Sequence, residues 1–237
     1  CIQRDHQTRA GWGLGVHDSL LIRLTPAVQS RYGREMVTDK KEPSCRIRLS
    51  QPLEVIREEP NVFLLDKAAY RIDREPWQPE EDILKLDNIC RRRFGYPPKE
   101  EAGAQPWTIK DEKGFPNVLS LRFDIVSGID TSASLALESR DMTEIYVNGS
   151  LVEEKASGWF VDEAIEVVRI PPLHRGNNII EFKIPYGEKA NVENCYLLGD
   201  FGVEVYGKEK RIVPAQETIV FGDLTRQGMP FYGGNLT

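Results

Sequence analysis

The stretch TEIYVNGSLVEE at residues 143–154 decides the fold class. Apolar and polar residues alternate on both sides of Asn148-Gly149, as in a half-buried β-strand whose side chains point to opposite faces in turn. Asn-Gly between two such runs is the strongest short-range hairpin signal, because both turn residues adopt positive φ. The stretch therefore predicts two antiparallel strands joined by a two-residue turn.

Runs of strand length continue on both sides of this hairpin, from residue 118 to residue 213. Many short strands with turn residues between them are typical of a β-sandwich. The runs are VLSLRFDIV at 118–126, ASLALES at 133–139, IEVVRIP at 165–171, NIIEFKIPY at 178–186, CYLLGDFGVEVYG at 195–207 and RIVPA at 211–215. We therefore predict a mainly β protein whose sandwich occupies residues 118–213.

Residues 1–95 predict a small β region with one helix. The helix is expected at about 79–94, because Pro79 and a cluster of acidic residues open this stretch and Gly95 follows it. Cys90 lies on its apolar face, and the Arg91-Arg92-Arg93 run lies where the helix dipole favours cations. Short alternating runs predict strands at 20–24, 45–49, 53–58, 62–66 and 69–73.

Two further segments complete the expected organisation. Residues 96–117 contain several prolines and little periodicity, which predicts a linker between two domains. Residues 214–237 are expected to form a trailing segment, and its end at GGNLT suggests that it is truncated. The start at Cys1 likewise suggests a piece of a longer polypeptide.

The composition excludes several classes of protein. The chain has 237 residues, 40% of them hydrophobic, and a net charge of −6, so it should form an ordinary folded core. No stretch of about 18 apolar residues occurs, so we predict no membrane span. The acidic balance removes the electrostatic attraction that dominates nonspecific nucleic-acid binding, and we predict no nucleic-acid partner.

The sequence offers no recognisable catalytic constellation. The four cysteines and three histidines lack the spacing of a zinc site, and Cys90 and Cys195 are expected to be buried thiols. No pair of carboxylates stands out, and no GxSxG nucleophile motif occurs. We therefore predict a non-enzymatic chain without a cofactor, although Asp111-Glu112-Lys113-Gly114 offers oxygen ligands for a structural calcium ion.

The region 134–200 resembles the galactose-binding-domain-like jelly roll that serves as the sugar-binding domain of family 2 glycoside hydrolases. The resemblance rests on Val147-Asn148-Gly149, on Trp159-Phe160-Val161-Asp162, and on the turn at 173–177, LHRGN. More narrowly, QPW at 105–107, ENCYLLGDF at 193–201 and QGMPFYGGNLT at 227–237 resemble the C-terminal region of large bacterial glycoside hydrolases of the family 2 and α-L-rhamnosidase groups. In those proteins the catalytic residues lie in a preceding barrel.

The resemblance implies a non-catalytic, carbohydrate-binding accessory domain of a larger glycoside hydrolase. Its partners would be a carbohydrate and the catalytic domain of the same polypeptide. Aromatic residues beside turn glycines are the expected sugar contacts, because sugar rings offer C–H faces to aromatic planes. The candidates are Trp159, Asp162, Trp107, Tyr186 and Tyr196, with Phe231 and Tyr232 as further aromatics.

Two alternatives stay open. The domain could brace the catalytic barrel without binding sugar, or it could be a protein-interaction sandwich unrelated to sugars. Trp159 could equally pack inside the sandwich. Two or more aromatics exposed in a concave face would favour sugar binding, whereas aromatics that are buried or lie on a flat rim would favour bracing.

Overall fold

The computed structural model describes Ile2–Arg4, Gln7–Arg9, 50–99 and 114–237. The chain forms two compact units, Cys1–Leu49 and Ser50–Thr237. In the first unit, strands β1 (Ile2–Arg4) and β2 (Gln7–Arg9) pair as an antiparallel hairpin, in a stretch without a predicted strand. The predicted strands at 20–24 and 45–49 lie outside the described residues, as do Trp107 and most of the calcium candidate at 111–114.

The unit Ser50–Thr237 is a β-sandwich, as predicted. Its strands are β3 (Leu53–Glu54), β4 (Asn61–Leu65), β5 (Lys67–Ile72), β6 (Gln78–Asp82), β7 (Asn117–Ser127), β8 (Ser134–Glu138), β9 (Glu144–Val147), β10 (Ser150–Leu151), β11 (Gly158–Phe160), β12 (Asp162–Arg169), β13 (Gly176–Tyr186), β14 (Cys195–Gly199), β15 (Gly202–Tyr206), β16 (Glu209–Val213) and β17 (Thr218–Ile219). The mainly β class is confirmed, whereas the finer jelly-roll assignment stays a prediction.

Two sheets carry the sandwich. The eight-stranded sheet has the order β10-β9-β13-β7-β16-β15, with β5 and β6 attached through the first half of β7. The five-stranded sheet has the order β11-β12-β8-β14-β4. Phe123 of β7 packs edge-on against Phe182 of β13 in the core, with ring centroids 5.1 Å apart. In the second sheet, Leu135 and Leu197 are fully buried in that same core.

The predicted hairpin is confirmed. Asn148 and Gly149 have φ values of 50° and 83°, and Val147 pairs with Ser150 across the turn. The Asn148 side chain also accepts the Ile179 backbone N–H at 2.8 Å. The turn residue therefore closes the hairpin and anchors it to the neighbouring strand β13.

The expected boundary between residues 1–95 and the sandwich is not where the structure divides. β4 is an edge strand of the five-stranded sheet, and β5 pairs with β7 of the eight-stranded sheet. Phe63 and Leu65 belong to the same core as the later strands, so residues 50–94 have no separate core of their own. The sequence shows where strands occur, but it does not show which sheet each strand joins. The predicted domain boundary near residue 95 was therefore wrong.

The described residues contain one α-helix, α1 (Ile83–Phe94), which begins later than predicted. Pro79, Glu80 and Glu81 lie in strand β6 instead, and Asp82 is the N-cap, whose carboxylate accepts two backbone N–H groups of the first turn at 3.1 Å. The predicted end is confirmed, because Gly95 adopts a left-handed φ of 71°. No helix in the described part of the chain is long and apolar enough to cross a membrane.

The trailing segment 214–237 packs back onto the sandwich. β17 pairs with β3, and Leu236 bridges to Arg57 through two backbone hydrogen bonds between Ile56 and Thr237. Earlier in the segment, the Gly228 carbonyl accepts the Val203 N–H at 2.8 Å. These contacts bring residues 231–234 to the edge of the five-stranded sheet that β4 forms, where they complete the site described below.

Candidate functional site

The outer face of the five-stranded sheet is apolar. A sheet that covers a core on one side usually alternates apolar-in and polar-out. Here the outward positions carry a second hydrophobic cluster, separate from the sandwich core: Val62, Ala136, Phe160, Ile165, Val167, Tyr196, Leu198 and Phe231. An apolar outer face of this kind indicates a surface that contacts something other than water.

This face is hollow rather than flat. One row of directly paired residues runs across the sheet through Leu64, Tyr196, Ala136, Val167 and Gly158. Paired residues place their side chains on the same face. Because Ala136 and Gly158 are small, the middle and the far edge of this row leave space above the sheet.

A groove of about 1000 Å³ occupies that space, and we call it the aromatic groove. The aromatic residues that line it are Trp159, Phe160, Tyr196, Phe231 and Tyr232, and of these Phe160, Tyr196 and Phe231 belong to the outer hydrophobic cluster. Its aliphatic lining is Val62, Leu64, Val161, Ile165, Val167 and Leu198, and its polar side chains are Glu59, Ser157, Asn194 and the two tyrosine hydroxyls. The side-chain oxygen of Asn194 is shielded from water and has no hydrogen-bond partner.

Trp159 lies at the β11 edge of the groove with 59% of its surface exposed. It does not pack inside the sandwich. The next residues form a tight connection in which Val161 has φ of 65°, a left-handed conformation that is strained for a β-branched residue. Such strain tends to accumulate at functional sites. Here it turns the chain so that Trp159 and Phe160 remain at the groove.

Asp162 is not part of the groove. Its carboxylate accepts the backbone N–H of Ala164 at 2.8 Å and so stabilises the start of β12. It is exposed but does not belong to the groove lining. The predicted pair of Trp159 and Asp162 is therefore divided, with only the tryptophan at the site.

Tyr196 lies on the groove floor, half-buried between neighbouring strands. Its ring centroid is 5.4 Å from that of Phe160. Burial raises the pKa of the Tyr196 hydroxyl, so this group stays protonated and can donate a hydrogen bond. The structure thus brings two of the predicted ligand residues, Trp159 and Tyr196, into one concave surface.

Glu59 fastens the opposite wall of the groove. Its carboxylate accepts the backbone N–H of Asn235 at 2.7 Å and the side-chain amide of Asn235 at 3.1 Å. The Tyr232 hydroxyl lies 3.0 Å from the same carboxylate. The Asn235 N–H is the largest cause of the lowered pKa of Glu59. These bonds hold the wall segment 231–234 in place.

Tyr186 is wrongly predicted as a sugar contact. It is fully buried, and its hydroxyl donates to the Asp87 carboxylate at 2.9 Å. Asp87 also accepts the Arg91 Nε–H at 2.9 Å, and Lys99 lies 3.7 Å away. Burial raises the pKa of Tyr186, and the nearby Asp87 charge adds to this effect. The residue belongs to a buried polar cluster that fastens α1 to the sandwich.

A second groove, of about 670 Å³, lies in the eight-stranded sheet where β5 and β16 both approach β7. Its lining mixes acidic and basic side chains, including Lys67, Arg122, Glu204 and Arg211. Tyr206 is the exposed aromatic residue there, with 86% of its surface accessible. Its other aromatic residues, Phe63 and Phe123, are buried in the core, which distinguishes this charged groove from the aromatic groove.

The aromatic groove contains few charged groups. Glycosidic cleavage requires two carboxyl groups on either side of the bond, and Glu59 is the one carboxylate among the groove-lining residues. Within the described residues, no group of three or more potential ligands could hold a metal ion. Sequence reasoning did not single out Glu59, because its partners lie 173 and 176 residues further along the chain.

Comparisons with known proteins do not identify a family. No protein-family model matches the chain, and no curated protein matches it. Among solved structures, a GH31 α-xylosidase from Xanthomonas citri is similar over 62% of this chain and 19% of its own length, with 14% sequence identity and a TM-score of 0.23. The chain thus spans about a fifth of that enzyme, and a likeness this weak carries no argument about fold or function.

Proposed function

We propose that Ser50–Thr237 is a non-catalytic carbohydrate-binding module, an accessory domain of a larger glycoside hydrolase, and that it holds sugar in the aromatic groove. The observation that supports this best is the group of aromatic residues that line one hollow surface, Phe160, Tyr196, Phe231 and Tyr232, with the exposed Trp159 at its β11 edge. Flat aromatic rings match the C–H faces of sugar rings, and the groove volume is at the upper end of small-molecule sites. The glycoside hydrolase part rests on the sequence resemblance alone.

The expected affinity is modest. A millimolar dissociation constant corresponds to about −4 kcal/mol. One aromatic contact contributes about 0.5–1.5 kcal/mol beyond its buried area, which is a factor of about 2 to 13 in affinity. Loss of Trp159 alone should therefore bring a millimolar interaction close to the limit of detection.

A bracing role is the second candidate, and the aliphatic floor favours it. Val62, Ile165, Val167 and Leu198 resemble the apolar core of a protein interface more than a polar sugar site. In this reading the catalytic domain of the same polypeptide covers the groove. A protein-interaction sandwich unrelated to sugars is the third candidate, and it would use the same surface.

Calorimetric titration with mono- and oligosaccharides, including rhamnose, galactose and plant-polysaccharide fragments, separates these candidates. Sugar binding predicts a measurable affinity that Trp159→Ala weakens. Gly158→Leu tests the same site without removing an aromatic ring, because a side chain added at Gly158 meets no atom within 4 Å and would enter the groove. We expect this variant to fold normally and to bind weakly.

Tyr206→Ala is the matched control, since it removes an even more exposed aromatic residue from the charged groove. It should leave sugar affinity unchanged. Equal losses in Trp159→Ala and Tyr206→Ala would place the sugar elsewhere. If a folded protein binds no sugar at millimolar concentrations, the carbohydrate-binding proposal is wrong and bracing is favoured.

A further inference from the structure

The aromatic groove has an unusual charge inventory. Of the described residues that line it, Glu59 alone carries a charge at neutral pH, and no Lys, Arg or His is among them. The other polar groups of the lining are neutral hydroxyl and amide side chains. A ligand in the groove therefore encounters hydrogen-bonding groups and apolar surface, together with one negative charge at the wall.

Glu59 is ionised at neutral pH, and its carboxylate already accepts hydrogen bonds within the protein. Two N–H groups of Asn235 donate to it, and the Tyr232 hydroxyl of the wall segment lies 3.0 Å away. Gly234 passes so close that a β-carbon there would collide with the Glu59 carboxylate. The carboxylate thus already accepts hydrogen bonds within the protein, which reduces its capacity to bind a ligand directly.

Two cations close to the groove, Lys210 and Arg57, are already paired. Lys210 Nζ lies 5.8 Å from the centroid of the Phe231 ring, but it forms an ion pair with Asp66 and donates to the Leu64 carbonyl at 2.6 Å. Arg57, two residues before Glu59, forms an ion pair with Asp200. A carboxylate brought into the groove would therefore have to compete with Asp66 or Asp200 in order to pair with Lys210 or Arg57.

We infer that the aromatic groove selects neutral saccharides, bound through the apolar face of a sugar ring, and discriminates against glycans that carry uronic acids. This rests on the proposed function and adds a ligand class to it. A sugar carboxylate would lose its hydration over an apolar floor without gaining a cationic partner. It would also be repelled by Glu59. Both effects lower the affinity for the charged ligand and leave the affinity for the neutral one unchanged. The groove would thus gain specificity by disfavouring the wrong ligand.

The test compares ligand pairs that differ only in charge. One pair is an oligogalacturonate and its methyl ester, and the other is a cello-oligosaccharide and its C6-carboxylated form, each matched in length. The readout is the indole N–H signal of Trp159 in a ¹H–¹⁵N spectrum, assigned by its loss in Trp159→Ala. This signal reports occupation of the aromatic groove and is insensitive to binding in the charged groove.

We expect the neutral member of each pair that binds to saturate the Trp159 signal at a concentration at least about tenfold lower than the charged member. A tenfold ratio corresponds to about 1.4 kcal/mol. A charged member that binds as tightly as its neutral counterpart, or more tightly, would overturn the inferred selectivity while leaving carbohydrate binding intact. If neither these four ligands nor any saccharide of the calorimetric screen shifts the signal in a folded protein, the proposed function fails and the selectivity fails with it.

Discussion

Removal of the Asp87 side chain should destabilise the protein severely without touching the aromatic groove. Asp87 and Arg91 have side-chain exposures of only 1% and 2%, and their ion pair is reinforced by the Tyr186 hydroxyl. In Asp87→Ala the Arg91 guanidinium remains buried, with the Ala190 carbonyl at 2.9 Å as its main remaining acceptor. The charge that neutralised it is gone.

Breaking a buried ion pair from one side costs about 3–5 kcal/mol, because the remaining charge is uncompensated. That is a large fraction of a typical stability of about 5–15 kcal/mol. For a domain of this size each kcal/mol corresponds to about 2–4 °C, so the melting temperature should fall by about 6–20 °C. Thermal unfolding followed by circular dichroism measures the change.

Glu75→Ala is the matched control, because it breaks the ion pair of a neighbouring arginine on the same helix. The Arg93–Glu75 pair is about half exposed, and pairs of this kind contribute only about 0–1 kcal/mol. Asp87→Ala should therefore be several times more destabilising than Glu75→Ala. Similar effects of the two variants would refute the assignment of Asp87, Arg91 and Tyr186 to a buried structural cluster.

Three further predictions concern the groove wall and the buried thiols. Gly234→Ala should lower stability by about 1–3 kcal/mol in urea unfolding, because its β-carbon would collide with Glu59, whereas Gly233→Ala has open space and should be neutral. Because folding lowers the pKa of Glu59, its ionised carboxylate stabilises the wall at pH values above the ordinary pKa of 4.5. This contribution is lost as the pH falls through the lowered folded-state pKa. Glu59→Gln should therefore lower the melting temperature at neutral pH and lose this effect in acid. Burial raises the pKa of Cys90 and Cys195 to about 12, so peptide mass spectrometry should find both unmodified by iodoacetamide until the chain unfolds.

Local patterns predicted local structure well. The hairpin follows from Asn148-Gly149, whose conformation depends on those two residues themselves. The end of α1 follows from Gly95 for the same reason. The start of α1 was wrong because Pro79 and the acids after it resemble a helix N-terminus, while pairing of β6 with β5 keeps them in a strand. Tertiary pairing overrode a local signal there.

The two tyrosine candidates show what strand periodicity can decide. Tyr186 ends the inward-facing series Ile180, Phe182 and Ile184 of β13. Its burial could therefore be predicted from the alternation of inward and outward side chains along a strand. Tyr196 alternates with the core residue Leu197 and so faces outward. Whether a position is odd or even along its strand therefore predicts the face of the sheet on which its side chain lies. It does not show which outer face is hollow.

The hollow itself depends on contacts between distant parts of the chain. The Glu59 bonds to the segment 232–235 span more than 170 residues, and no local pattern signals them. The depth of the floor depends on Ala136 and Gly158 meeting in one row of the sheet, which requires the strand register. The aromatic residues were therefore identifiable from the sequence, but their arrangement as one groove was not.

A crystal structure of Ser50–Thr237 with a neutral oligosaccharide at saturating concentration tests the central claim most directly. The account predicts a sugar ring packed face-on against Trp159 and in contact with Tyr196 or Phe231. Sugar bound only in the charged groove beside Tyr206, or an aromatic groove that remains empty and open to solvent, would contradict it.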